Sequence, residues 1–295
     1  NSMKSMKHWL LAAAGAMALT GCGTFSGEEA SVAVPGPTVI SFDHGATDTL
    51  VELGLEDKIL AVPKTGLPDY LGNLADGRPD AGNLKTPDLD VVADVAPDLV
   101  LVTGRQGDSL EDLETIAEVQ DVSLLGDDYR ESVRIRVLGL GTLYGRFNEA
   151  NTSLQELWAF VDQQRDGIAG KPQVAVVTHN DGNLSLRDEA VVFQLLDLDQ
   201  PPVPDGVESV TRATRMFTPV TPEVLADMAP EHLFVVDRSA AIGAGVLDAD
   251  QLRSDLAAAG AADIRVTVLS PRLWYLSGGG LQSVRLQVQE IVDAL

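Results

Sequence analysis

Of the 295 residues, one is a cysteine. A single thiol excludes an intramolecular disulfide and any Cys-x-x-Cys metal or redox site. Cations are scarce as well: 21 Lys and Arg stand against 44 Asp and Glu, a formal net charge of −23. Non-specific binding to nucleic acid or to anionic lipid needs a basic face, so this balance argues against both. The 4 histidines include no His-Glu-x-x-His pair, and a zinc or manganese site of several histidines is not expected. No Gly-x-Ser-x-Gly elbow and no Gly-x-x-x-x-Gly-Lys-Ser/Thr loop occurs. The N-terminal apolar run WLLAAAGAMAL (9–19) is too short to span a bilayer as a mature helix.

What surrounds that run is informative. Lys4 and Lys7 precede it, and Leu19-Thr20-Gly21-Cys22 follows it. The tetrapeptide resembles a bacterial lipobox, which predicts a lipoprotein signal peptide over 1–21 and lipidation of Cys22. Cleavage there removes Lys4 and Lys7 and takes the charge from −23 to −25. The next stretch, 22–37, is small, polar and Pro/Gly-bearing, a flexible tether by composition. The expected location is therefore extracytoplasmic, periplasmic or lipid-anchored to the cell membrane, held by acyl chains and not by a helix.

From Thr38 onward, short apolar runs alternate with helical patterns, as in βαβ units around a largely parallel sheet. An N-terminal α/β lobe is predicted over 38–147. Ala150, Leu154, Leu157, Val161 and Ile168 fall on one face of a long helix at 148–170, stopped by Gly170 and Pro172. A second α/β lobe is predicted over 171–295. The fold class is thus α/β, two Rossmann-like lobes joined by a single long connecting helix.

An internal repeat supports two matched lobes. DVVADVAPDLVLVTGR (90–105) aligns without gaps on EVLADMAPEHLFVVDR (223–238). Val91, Ala93, Asp94, Ala96, Pro97, Val102 and Arg105 recur as Val224, Ala226, Asp227, Ala229, Pro230, Val235 and Arg238. Each copy reads as a short helix, a proline turn and a buried strand ending on arginine. Ligands of open α/β sheets bind outside the carboxyl ends of strands, so the two arginines are placed to face one cleft. The guanidinium fork matches paired oxygens and suits an anionic ligand. The alternative is a local carboxylate partner for each, such as Asp237 or Asp248 for Arg238. In WYLSGGGL (274–281), Trp274 and Tyr275 are core aromatics or cleft residues; in the cleft, the Tyr275 phenolate would be a hard donor suited to ferric iron. Gly278 to Gly280 open a terminal helix, a weak signal for phosphate binding. His232 lies within the second repeat's strand and reads as structural.

Those stretches, with SFDHGATDTLVELGLEDKILAVP (41–63), LPDYL (67–71), VTGRQ (102–106) and VVDR (235–238), resemble the siderophore-binding lipoproteins of iron ABC importers, in the catecholate and petrobactin-type branch. The resemblance covers 38–295 and implies a class III periplasmic-binding-protein fold with little hinge motion. It implies that Arg105 and Arg238 pair with catecholate oxygens and that Tyr275 can coordinate iron, with Trp274 beside it. Asp90 and Glu223 are implied as the contacts with permease arginines. A monomer with no intrinsic cofactor and no catalytic residue is expected; its partners are a ferric siderophore, an ABC permease and, through the anchor, the membrane. Haem, a corrinoid or a hydroxamate siderophore are alternative ligands on the same fold; a secreted α/β enzyme would need a nucleophile–base pair that is not visible. Two positions depart from the family. Its third arginine falls here at Val191 or Val192, leaving Arg187 as a substitute by proximity. Its histidine ligand falls at Met216, a poor ligand for hard ferric iron, with Arg215 adding charge nearby.

Overall fold

The computed structural model describes residues 34–295; the signal-like segment, Cys22 and most of the tether lie outside the described residues. The first lobe holds β1 (Val39–Ser41), α1 (His44–Glu52), β2 (Ile59–Ala61), α2 (Leu89–Val95), β3 (Leu99–Val102), α3 (Leu110–Ile116), β4 (Glu118–Asp121) and α4 (Tyr129–Leu143). Its sheet runs β2-β1-β3-β4 with every pairing parallel. Helix α5 (Phe147–Asp166) follows. It buries Ala150, Leu154, Leu157 and Val161, the face the spacing predicts, but ends at Gly167, before the expected stop at Gly170. Glycine is about 1 kcal/mol worse than alanine inside a helix, enough to end a frayed last turn.

The second lobe holds β5 (Val174–Asn180), β6 (Asn183–Leu186), β7 (Val210–Arg212), β8 (Arg215–Phe217), β9 (Pro219–Val220), α6 (Pro222–Met228), β10 (His232–Asp237), α7 (Arg238–Ala241), α8 (Ala249–Ala258), β11 (Arg265–Val268), α9 (Pro271–Leu276) and α10 (Leu281–Ala294). Its main sheet is ordered β11-β10-β5-β6-β9, parallel through β5 and antiparallel beyond it, while β7 and β8 pair only with each other.

The repeat is reproduced in backbone detail. Asp88 caps α2 and Thr221 caps α6; both helices then end on a left-handed alanine, Ala96 and Ala229, each at φ 49°. That conformation costs an alanine about 1–2 kcal/mol, and both copies retain it. Asp98 accepts from Thr38 N at 3.0 Å and Glu231 from Gln173 N at 3.1 Å, each tying the repeat to the start of its lobe's first strand.

One buried cluster passes through both lobes. It joins Val39 and Leu101 of the first sheet, Leu140 of α4, Leu154 and Leu157 of α5, Val176 and Phe234 of the second sheet, and Val284, Val288 and Ile291 of α10. A continuous close-packed core resists relative movement of the lobes. Polar contacts lock α10 in place. The buried Asp48 carboxylate accepts from the amides of Gln282 and Ser283 at 2.8 and 2.7 Å, and from Tyr70 Oη at 2.9 Å. The N-terminus of α10 therefore already holds an anion, supplied by the protein itself. Gly279 and Gly280 are required by packing, not by phosphate: a Cβ on Gly279 would lie 2.5 Å from Leu124 Cδ1 and one on Gly280 2.8 Å from Gly45 O, whereas Gly278 has room for one.

His44, wholly buried at the start of α1, finds no partner for either ring nitrogen among the described residues. Burial pushes it down to about 4, opposed by Asp43 and reinforced by Arg105 and Arg272. Between about 4 and 6.5 the folded chain holds fewer protons on this ring than the unfolded chain, so its stabilising effect is complete above 6.5 and is lost as pH falls. Asp48, raised to about 7 by burial against its hydrogen bonds, works with the opposite sign: its effect is complete below 3.8 and is lost as pH rises through 7. Comparing His44→Leu with the wild type cancels the Asp48 effect. The variant is expected to match the wild type at pH 7 within about 1 kcal/mol and to exceed it by about 2 kcal/mol at pH 4.5. Urea unfolding at the two pH values checks this; parallel curves at both would refute it.

Candidate ligand-binding site

Arg105 and Arg238 stand at the carboxyl ends of β3 and β10, on the short turns that follow them. The β3 turn is pinned locally. Thr103 and Gln106 form a capping box, and buried Gln106 Nε2 donates to Phe42 O at 3.1 Å. On the β10 side, Asp237 accepts from His179 Nδ1 at 2.8 Å and from the amides of Ala240 and Leu247. That carboxylate is saturated from other directions, and Asp248 caps α8. Neither is a partner of Arg238.

Both arginines meet instead on Tyr275. Their guanidinium carbons lie 5.4 and 5.7 Å from the ring centre, within cation–π range. Arg238 Nε donates to Tyr275 Oη at 2.9 Å and its Nη1 to Asn180 Oδ1 at 2.8 Å; Arg105 Nη2 donates to Tyr275 O at 2.6 Å. Neither forms an ion pair with a carboxylate among the described residues. Burial lowers the Arg105 guanidinium from its ordinary value, and Arg215 and Arg187 lower it further, against Asp43 and Tyr275. An arginine still stays charged. Two uncompensated cations on one ring, in a chain of net charge −23, form a local site for an anion.

The cleft above Tyr275 has a volume of about 550 Å³ and is lined also by Asn83, Lys85, Arg215, Arg272 and Leu276. Arg272 and Lys85 went unassigned in the sequence. Arg272 precedes the Trp-Tyr pair in the same segment and Lys85 sits in a loop, neither with a repeat partner to mark it. Asn180 was missed as well, because its role depends on the pairing of β5 with β10.

Several predicted site residues are placed differently. Trp274 is a correction: it is 2% exposed, belongs to the core cluster, and its Nε1 donates to Glu290 at 2.6 Å. The segment is helix α9, and successive helical side chains point about 100° apart. Tyr275 therefore faces the cleft while Trp274 faces the core. Arg187 donates to Glu189 at 2.7 Å, so its charge is partly neutralised. Val191 and Val192, the positions matching the family's third arginine, are wholly buried. Met216 is 73% exposed on the β7–β8 hairpin. Asp90 and Glu223 are exposed acidic residues in the first turns of α2 and α6, a position the helix dipole favours. No group of three or more His, Cys, Asp or Glu able to hold a metal occurs among the described residues, and none of their helices is long and apolar enough to cross a membrane.

The family profile described as "Periplasmic binding protein" matches residues 39–262. The petrobactin-binding protein YclQ of Bacillus subtilis is 29% identical over 266 residues, covering 87% of this chain and 82% of YclQ. Its crystal structure superposes with a TM-score of 0.75 over 88% of this chain and 92% of that one, at 27% identity. The ferric-anguibactin-binding protein FatB of Vibrio anguillarum is 24% identical over 86% of this chain and 81% of its own. The iron uptake ABC transporter substrate-binding protein PiuA of Streptococcus pneumoniae superposes with a TM-score of 0.74 at 26% identity, covering 88% and 93% of the two chains.

Proposed function

This chain belongs to the periplasmic binding protein family, and from that premise we propose that it captures an anionic ferric siderophore of catecholate type outside the cytoplasmic membrane and delivers it to an ABC permease. The observation that carries the reading is the pair of arginines on Tyr275 with no carboxylate partner. Relatives that bind petrobactin and ferric anguibactin support the ligand class. No bond is made or broken; the relatives are binding proteins.

In this reading the guanidinium groups of Arg105 and Arg238 replace water around catecholate oxygens, each charge-assisted contact contributing about 1.5–3 kcal/mol. Tyr275 Oη already accepts from Arg238, which favours its oxygen as a donor to ferric iron or as a partner for a ligand oxygen. Lys85, Arg215 and Arg272 extend the positive lining. Asp90 and Glu223 present one carboxylate per lobe to permease arginines. Cys22 carries the lipid anchor, and the protein works as a monomer.

Isothermal titration against four ligands tests the reading: a ferric tris-catecholate chelate, a ferric hydroxamate, haem and a corrinoid. The catecholate is expected to bind at least tenfold tighter than the others. A tighter hydroxamate, haem or corrinoid would replace the ligand class while leaving the fold untouched.

A further inference from the structure

The ends of β5 and β10 carry two side-chain pairs, one on each face of the sheet. His179 and Asp237 are register partners, and His179 Nδ1 donates to Asp237 Oδ1 at 2.8 Å. One residue further on, Arg238 Nη1 donates to Asn180 Oδ1 at 2.8 Å. Successive side chains of a strand point to opposite faces, so the second pair faces Tyr275 and the first faces away. His179 lines a groove of about 640 Å³ whose walls include neither cleft arginine nor Tyr275. Both members of the first pair are buried.

The hydrogen bonds leave His179 one role. Gly182 N donates to its Nε2 at 2.9 Å. That amide always carries its proton, so Nε2 is an acceptor, Nδ1 holds the proton and the ring is neutral. Ser239 Oγ accepts from Asp181 N at 2.8 Å and is not bonded to Nε2, so this serine, histidine and aspartate form no nucleophilic triad. The ring offers a single donor, aimed at Asp237, and Asp237 in turn places Arg238. The same Oδ1 accepts from Ala240 N at 3.2 Å and so caps α7, the helix that Arg238 opens. Oδ2 accepts from Leu247 N at 2.8 Å.

We propose that His179 is a positioning residue for ligand capture: from the far face of the sheet it fixes Asp237, and through Asp237 the start of α7 and the direction of Arg238. The proposal rests on Arg238 as a ligand contact and adds a residue outside the cleft. Without the His179 donor, Oδ1 keeps one bond, from Ala240 N, at the long end of the hydrogen-bond range. The carboxylate is then free to turn. Released beside the Arg238 guanidinium, it becomes the partner that this cation lacks and neutralises the charge offered to the ligand.

Titration of the full folded protein with a ferric tris-catecholate chelate tests this. His179→Phe keeps the shape of the ring and loses both hydrogen bonds; affinity should fall about five- to tenfold, part of one charge-assisted contact. His179→Leu should behave alike, and a thermal melt checks the fold of each. His179→Asn places an amide N–H where Nδ1–H stood and should restore affinity to within about twofold of the wild type. In an Arg238→Ala background, His179→Phe should change affinity by less than about twofold, because the group it positions is gone. A second readout needs no ligand. The Arg238 Nε–H signal in a proton–nitrogen NMR spectrum, identified by its loss in Arg238→Ala, reports the bond to Tyr275 Oη. Its solvent exchange should quicken in His179→Phe and not in His179→Asn. Unchanged affinity and exchange in His179→Phe, or an equal loss of affinity with and without Arg238, would overturn the positioning role. Wild-type protein that fails to bind the chelate, while His179→Phe still quickens Arg238 exchange, would overturn the ferric-chelate reading and leave the hold of His179 on Arg238 standing.

Discussion

Removing both cleft arginines, as Arg105→Ala with Arg238→Ala, is expected to weaken binding of a ferric catecholate by about 10²- to 10⁴-fold. The range follows from two charge-assisted contacts of about 1.5–3 kcal/mol each, at 1.4 kcal/mol per decade of affinity. Each single variant should lose less than the pair, but the two losses should not simply add, because both side chains touch Tyr275. Arg238→Ala also releases Tyr275 Oη and Asn180, so it should cost more than Arg105→Ala, whose hydrogen bond to the segment goes to the Tyr275 carbonyl. Arg→Lys should recover little, since a point charge does not reproduce the fork. Stability should change by less than about 1 kcal/mol, because both side chains are only partly buried and neither completes an ion pair. Tryptophan-quenching titration reads the affinity and a thermal melt reads the fold. Unchanged affinity in the double variant would remove the basis of the proposed function.

Gly280→Ala is expected to produce a large loss of stability from a single methyl group. A Cβ there would collide with the Asp48 carboxylate and lie 2.8 Å from Gly45 O. Neither neighbour can retreat cheaply. Asp48 is bound to the Gln282 and Ser283 amides and to Tyr70, and Gly45 O belongs to the backbone of α1. Overpacking alone costs about 1–3 kcal/mol, and displacing Asp48 would add the cost of unpaired buried amides. A loss of about 3 kcal/mol should lower the melting temperature by about 6–12 °C in a chain of this size. The effect should reach the ligand site as well, because α9 and Tyr275 immediately precede these glycines in sequence. Gly72→Ala is the matched control: nothing lies within 4 Å of its Cβ position, so it should be neutral. A Gly280→Ala variant that melts with the wild type would show that the Asp48 clasp is not required.

The sequence by itself determined the features carried by local pattern. The apolar face of α5 follows from side-chain period alone. The two-lobe plan and the strand-end arginines follow from a gapless repeat, because a helix, a proline turn and a buried strand are specified by neighbours within about twenty residues. The Tyr275 cleft role was legible only as one of two alternatives. Tertiary structure decided the rest, for a physical reason: the deciding contacts join groups far apart in the chain. Whether Trp274 or Tyr275 faced the cleft depended on α9 being helical and on Glu290 receiving the indole proton. Gly280 acquires its purpose only when Asp48 arrives from α1 to occupy the N-terminus of α10. Freedom of Arg238 from carboxylates depended on His179 and two amides saturating Asp237. Hydrophobic period and turn chemistry act over a few residues and can be read along the chain. The partner of a buried charge is chosen by how the lobes close around it, and no local pattern encodes that choice.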